Sequence, residues 1–222
     1  MRIGVLGTGN VGRTLASALL RSGHEVRLGS RTAGNAAAVA WAEEVGGPAS
    51  EGAFADAAGF GELLINATAG AASLDALGLA GAEQLAGKVL LDVANPLDFS
   101  QGMPPTLTVC NDDSLGEQIQ RALPDVRVVK TLNTVTAAVM VDPTLVGGAH
   151  TMFVAGDDAT AKAQAGELLQ EFGWPPGSIL DLGDISAARG MEMYLPLWLR
   201  LWGATGGAIL NVEVRSGDAP AG

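Results

Sequence analysis

The chain's 222 residues are 48% apolar and 17% charged, enough to bury a sizeable core and too apolar for global disorder. Thirteen basic side chains stand against 24 acidic ones, a formal net charge of −11, so neither a nucleic-acid partner nor a membrane surface is expected. A lone cysteine, Cys110, excludes an internal disulfide, and two histidines outside any Cys/His cluster point to no metal site.

Strand-like and helix-like runs alternate almost to the end. The opening Arg2–Leu6 reads as a buried strand, too short for a signal segment, and leads into glycines. Asn10–Ser22 reads as a helix with Val11, Leu15 and Leu19 on one face and Gly23 as its stop. Glu25–Gly29 is a second strand and Gly34–Val45 an Ala-rich helix. Leu63–Ala67 is a third strand, Leu74–Leu85 a helix, and Lys88–Val93 a fourth strand. Beyond a loop containing Pro104-Pro105, Ser114–Leu123 is helical, with Ser114 and Glu117 spaced as a capping box. Val126–Thr131 and Thr151–Ala155 are the fifth and sixth strands. Asp157–Phe172 is a helix capped by Asp157 or Asp158, Ile179–Leu182 a short last strand, and Ile185–Leu210 a long, broken apolar helix.

This alternation predicts an α/β fold, a Rossmann-like doubly wound parallel sheet covered on both faces, with an added C-terminal helix. The expected division is a dinucleotide-binding body over 1–184, a helical extension over 185–215 and a disordered tail over 216–222. The most apolar run, Tyr194–Trp202, is interrupted by Pro196 and Arg200 and falls short of a membrane span. A cytoplasmic, reduced setting is expected.

Charge is unevenly spread. Residues 1–50 carry five arginines against three glutamates, a balance of +2, whereas the other 172 residues carry 8 basic and 21 acidic side chains, a balance of −13. An anion is best received in the first fifty residues. There, Gly7-Thr8-Gly9-Asn10-Val11-Gly12 is a GxGxxG between a predicted strand and a predicted helix, the context that a dinucleotide fingerprint requires. Gly7 would make the tight turn, Gly9 would let backbone approach a pyrophosphate, and Gly12 would let the helix sit close on the sheet. The freed N–H groups and helix dipole favour the anion. The plainer reading is an ordinary strand–helix turn.

The tip of the second strand chooses between dinucleotides. An acid there would accept from a ribose 2′-OH, but the residues are Gly29-Ser30-Arg31-Thr32. Arg31 can pair bidentately with a 2′-phosphate, and Ser30 and Thr32 can donate to it, which predicts NADP(H) rather than NAD(H). The alternative is a solvated loop arginine.

The remaining strand ends, Asn66–Gly70, Asp92–Pro96 and Lys130–Thr134, are small and polar. They supply no His/Asp pair, no cysteine nucleophile and no carboxylate cluster. Lys130 could act as an acid/base, but a lone Lys at a strand end is more often a surface charge, and Asp92 reads as a buried, loop-bracing acceptor. Carbonyl reduction needs a positioned proton donor. Hydride exchange with a flavin-like ring needs stacked rings and hydrogen-bond donors for the charge arising on the acceptor. Asn133 and Thr134 are candidate donors, or alternatively strand-end caps.

Several segments carry a family resemblance: Gly7–Gly12, His24-Glu25-Val26 leading into Gly29-Ser30-Arg31, Lys130–Thr134, Val154–Asp158, and Asp181-Leu182-Gly183. Together they resemble the NADP oxidoreductases that depend on the deazaflavin coenzyme F420. The resemblance implies hydride transfer between C4 of NADPH and C5 of the deazaflavin. It further implies Thr8–Val11 around the pyrophosphate, Ser30 and Arg31 on the 2′-phosphate, and Thr68, Asn95 and Ala137 near the nicotinamide end. A His can stand in the family where this chain has Asn133; related domains of membrane metalloreductases carry Asn there and pass hydride to FAD. Lys130 and Arg189 are the cations best placed for the acceptor's anionic tail.

The apolar side chains between Met191 and Trp202 are too many for one face of one helix. They predict a wall of the acceptor pocket and an interface with a twin subunit, a homodimer; the plainer reading is intrachain core. The leading functional expectation is therefore hydride transfer between NADPH and a small-molecule redox acceptor, F420 or FMN/FAD. An NADPH-dependent imine or carbonyl reductase and a non-catalytic NADP(H)-binding protein are the alternatives. Cys110 and His150 read as packing or loop residues.

Overall fold

The computed structural model describes residues 1–217. In chain order its elements are β1 (Arg2–Leu6), α1 (Asn10–Arg21), β2 (Glu25–Ser30), α2 (Ala36–Val45), β3 (Ala49–Ala53), α3 (Phe54–Phe60) and β4 (Leu63–Asn66). Then come α4 (Ser73–Ala80), α5 (Ala82–Leu85), β5 (Val89–Asp92), β6 (Leu97–Asp98), β7 (Thr106–Leu107), α6 (Leu115–Ala122) and β8 (Arg127–Thr131). The last are α7 (Ala137–Val141), β9 (Met152–Ala155), α8 (Ala159–Glu171), β10 (Ile179–Asp181), α9 (Ala188–Met193) and α10 (Leu195–Thr205).

Eight strands form one sheet in the order β10-β9-β8-β5-β4-β1-β2-β3, and β6 and β7 make a separate ribbon. Successive side chains of a strand face opposite sides. Accordingly Ile3, Val5, Leu63, Ile65, Val89 and Leu91 enter one core cluster with α1 and α8. Leu6, Leu64 and Leu90 enter the other with α3, α4 and α6. Two buried faces identify the Rossmann-like doubly wound architecture. After β1 the chain winds one way to β2 and β3; from β4 it winds the other way to β5 and β8. The reversal between β1 and β4 opens a crevice beyond the strands' carboxyl ends, where such sheets take ligands.

The sheet is not wholly parallel, as the alternation had predicted: β9 runs antiparallel to β8, while β10 is again parallel to β9. A buried strand's composition carries no sign of its direction, and the five-residue α7 is no crossover helix. The strand β3 and helix α3 escape sequence reading because Ala-Ser-Glu-Gly-Ala has no apolar alternation and holds its edge position through backbone pairing to β2. The expected helix Leu74–Leu85 divides at Gly81, whose φ is +87°.

The C-terminal run is broken, as expected. A short 3-10 turn over Ile185–Ala187 precedes α9, and α10 begins after Tyr194 with Pro196 in its first turn, where a missing N–H costs nothing. Gly206, in the left-handed region, ends α10. Ser216 and Gly217 have no regular structure; the rest of the expected tail lies outside the described residues.

One polar knot ties this extension to the sheet. Lys130 is completely buried rather than a surface charge, with its Nζ 2.8 Å from Asp92 and 2.9 Å from Glu192. It also donates to the Ala94 carbonyl. Glu192 accepts from the backbone N–H groups of Leu115 and Gly116, the positive end of α6. Asp92 braces the loop as expected, accepting from Asn66 Nδ2 and Ala94 N. Burial works against the Lys130 charge, yet the two carboxylates hold its pKa above the usual lysine value. Burial also pushes Glu192 up, against the pull of Lys130, with the Asp92 charge adding to the rise. Arg189 is engaged too, in a pair with Glu117. Neither expected tail cation is therefore at liberty. His150 and Cys110 stay outside the crevice: His150 Nε2 meets the Pro143 carbonyl, and Cys110 is a half-buried free thiol.

Candidate functional site

β1 delivers the chain into Gly7, whose φ of +119° belongs to glycine; a Cβ there would lie 2.5 Å from the Ala67 carbonyl oxygen. A Cβ on Gly12 would sit 2.0 Å from the Gly7 oxygen, so the close seat of α1 on the sheet requires its absence. At Gly9 nothing lies within 4 Å of the corresponding position, which leaves a backbone face open to a ligand. The first turn of α1 has no side-chain cap and no acid. The N-termini of α2, α6 and α8, by contrast, are capped by Asn35, Ser114 and Asp158. Uncapped N–H groups at the positive end of a helix, beside a cradle that side chains would fill, suit a pyrophosphate.

Gly7, Thr8 and Gly9 share a cavity of about 750 Å³ with Ser30, Arg31 and Thr32. Arg31 is exposed and, among the described residues, pairs with no carboxylate. Ser30 is buried, and its hydroxyl donates to the Thr32 carbonyl at 2.6 Å. Asn35 and Asp75 also border the cavity, the latter as its one acid, and neither was anticipated.

Ala67, Thr68 and Ala69 at the end of β4 lead into a second cavity of about 480 Å³. It gathers the expected Asn10, Val11, Thr68, Asn95, Asn133, Thr134 and Ala137. Thr68 is locked from behind: its Oγ1 donates to Asn66 Oδ1, and Asn66 reaches Asp92. Leu132, in the left-handed region at φ +62°, turns the chain sharply off β8 just before Asn133.

The expected donor role of Asn133 does not hold. Both its amide hydrogens are spent, on Asn95 Oδ1 at 2.9 Å and on the Met191 carbonyl at 3.1 Å. Asn95 returns a bond to the Asn133 carbonyl, which fixes both amides. What Asn133 offers is its Oδ1, an acceptor. Thr134 keeps a hydroxyl capable of donating. Among the described residues, four buried side-chain polar atoms have no partner: Asn133 Oδ1, Thr134 Oγ1, Trp198 Nε1 and Tyr194 Oη. The first three belong to residues lining this cavity. Each such atom costs about 1–3 kcal/mol when left alone, so a polar ligand is the expected remedy.

Leu195 and Trp198 of α10 close one side of the cavity, with Phe99 beyond the β6 strand and Met140 from α7. The sequence places Leu195 and Trp198 in the apolar run expected to wall the pocket, without singling out either from its neighbours. Phe99 and α7 gave no signal, since five apolar residues show no period. Among the described residues no Asp, Glu, His, Lys, Arg or Cys lines the cavity. It can hold flat, weakly polar rings; it supplies no ionisable group to move a proton.

The profile of the family described as NADP oxidoreductase, coenzyme F420-dependent, matches residues 2–96. An F420-dependent NADP reductase of Methanothermobacter marburgensis is 31% identical over 210 residues, covering 90% of this chain and 92% of that protein. The metalloreductase STEAP3 of Rattus norvegicus is 32% identical over 209 residues, which are 89% of this chain but only 38% of the relative's length. A crystal structure from Arthrobacter, assigned as an F420-dependent NADP reductase, is 53% identical with a TM-score of 0.92, covering 97% of this chain and all of that one. Among the described residues no helix is long and apolar enough to cross a membrane.

Proposed function

From the premise that this chain belongs to the F420-dependent NADP reductase family and is an NADP-dependent oxidoreductase, we propose that it transfers a hydride between NADP(H) and F420, with FMN or FAD as the alternative acceptor. The observation that carries this reading is the nicotinamide-end cavity with no ionisable side chain in its lining. A carbonyl or imine substrate asks for a proton at the reduced centre and finds no acid here. A deazaflavin or flavin asks for stacking in near-attack geometry, at about 3–3.5 Å, and for hydrogen bonds at its edge.

When bound, NADPH supplies the hydride from C4 of its nicotinamide. Thr8, Gly9, Asn10 and Val11 hold the pyrophosphate through backbone N–H groups at the head of α1, and Arg31 with Thr32 receives the 2′-phosphate. Thr68, Asn95 and Ala137 border the nicotinamide. We take residues 1–184 as the dinucleotide-binding body and 185–215 as the extension that walls the acceptor, in a cytoplasmic protein.

The test mixes protein, NADPH and one acceptor at a time (F420, FMN, FAD or a cyclic imine) and follows NADPH absorbance. Turnover with F420 or a flavin and none with the imine is expected. Turnover of the imine alone overturns the reading in favour of an imine reductase, and binding of NADPH with no turnover of any acceptor favours a non-catalytic protein.

The two sides of the C-terminal run play different parts. Met191, Leu195 and Trp198 are intrachain core, while Leu197 and Trp202 remain 55% and 40% exposed. We assign that exposed side to a twin subunit. Analytical ultracentrifugation at micromolar concentration should return a dimer mass; a clean monomer removes the assignment.

A further inference from the structure

Three residues that line the second cavity each carry a buried polar atom with no partner, and the three atoms differ in hydrogen-bonding type. Trp198 Nε1 is a donor only; Asn133 Oδ1 is an acceptor only, its own hydrogens being spent; Thr134 Oγ1 is either. One donor, one acceptor and one adaptable hydroxyl complement an imide edge, where a carbonyl, an N–H and a second carbonyl follow in a row. Deazaflavin and flavin rings both carry that edge on their pyrimidine, and simple imines and ketones do not.

Their position also separates them from the phosphate turn, though not from the nicotinamide end that Asn95 borders. Asn133 and Thr134 follow β8, which lies three strand spacings from β1, about 14 Å from the phosphate turn. Trp198 comes from α10, outside the dinucleotide-binding body, and is only 9% exposed. Its indole is held by the tilted neighbour Trp202, with ring centroids 5.7 Å apart.

Resting on the hydride-transfer reading above, we infer that Trp198 is a specificity-determining residue: its indole N–H, with Asn133 Oδ1 and the Thr134 hydroxyl, reads the imide edge of the acceptor ring. The site thereby distinguishes pyrimidinedione rings from other hydride acceptors before any chemistry occurs.

The experiment titrates wild type and Trp198→Phe with 5-deazariboflavin and with its N3-methyl derivative, following ligand fluorescence, and titrates both proteins with NADP⁺ calorimetrically. The phenyl ring keeps the apolar wall and removes only the donor. We expect 5-deazariboflavin to bind Trp198→Phe about 5- to 30-fold more weakly than wild type, with NADP⁺ affinity unchanged. N3-methylation should weaken binding to wild type by about tenfold or more, because it removes the N–H and leaves an acceptor facing a methyl group. Equal ring affinity in both proteins, indifference to the methyl group, or a parallel loss of NADP⁺ affinity (which would assign the indole to the nicotinamide carboxamide) overturns the inference while leaving the hydride-transfer reading intact. Failure of wild type to bind any of 5-deazariboflavin, F420, FMN and FAD overturns both.

Discussion

Replacing Arg31 with Ala should raise the KM for NADPH by about tenfold to a hundredfold and leave that for NADH nearly unchanged. The magnitude is that of one charge-assisted contact to phosphate, about 1.5–3 kcal/mol. Arg31 is exposed, so screening pulls the effect toward the lower end, and the preference for NADPH should shrink as salt is raised. Steady-state kinetics with both nucleotides at two ionic strengths measures this. Equal losses for NADPH and NADH would mean that Arg31 supports the loop rather than the 2′-phosphate, and the NADP preference would then have to come from elsewhere. Among the described residues lining the cavity no second cation stands beside it: the other charged residue there is Asp75.

The second large effect concerns stability. Lys130→Met should destabilise the protein by about 3–5 kcal/mol, because Asp92 and Glu192 are then left buried without a counter-charge. For a domain of this size that lowers Tm by roughly 6–20 °C. Adding Asp92→Asn and Glu192→Gln removes the stranded charges and should recover much of the loss, since an ion cluster replaced as a whole costs far less than one broken. Differential scanning calorimetry of the single and triple variants decides the matter. A single variant melting within about 2 °C of wild type would show that Lys130 contributes no more than an ordinary core side chain.

The first half of the molecule was the more legible. Arg2–Leu6, the glycine turn, Asn10–Arg21 and the arginine at the tip of β2 form a contiguous stretch in which every signal is local: alternation, glycine spacing, absence of an acid. The crevice gathers Asn133 and Thr134, legible as a strand end in a sheet whose ends converge at one side, with Thr68, Asn95 and Ala137, which the family resemblance implied. What the sequence did not carry was pairing at a distance. Whether Asn133 donates or accepts depends on the Met191 carbonyl, 58 positions away, and whether Lys130 is exposed depends on Glu192. Strand direction at β9 and the edge strand β3 likewise depend on backbone partners rather than on side-chain pattern. Trp198 was hidden for a further reason: among so many apolar neighbours, nothing in its own spacing singles out an indole nitrogen with no partner.

The two cavities meet along Ala67, Thr68 and Ala69, and no side chain on either side of that ridge could accept a hydride and keep it. Under the proposed assignment the polypeptide therefore has nowhere to bank reducing power between one visitor and the next. Donor and acceptor must be in residence together, ring against ring in the cavity beyond Thr68, so that turnover passes through a ternary complex and neither product departs before both reactants have arrived.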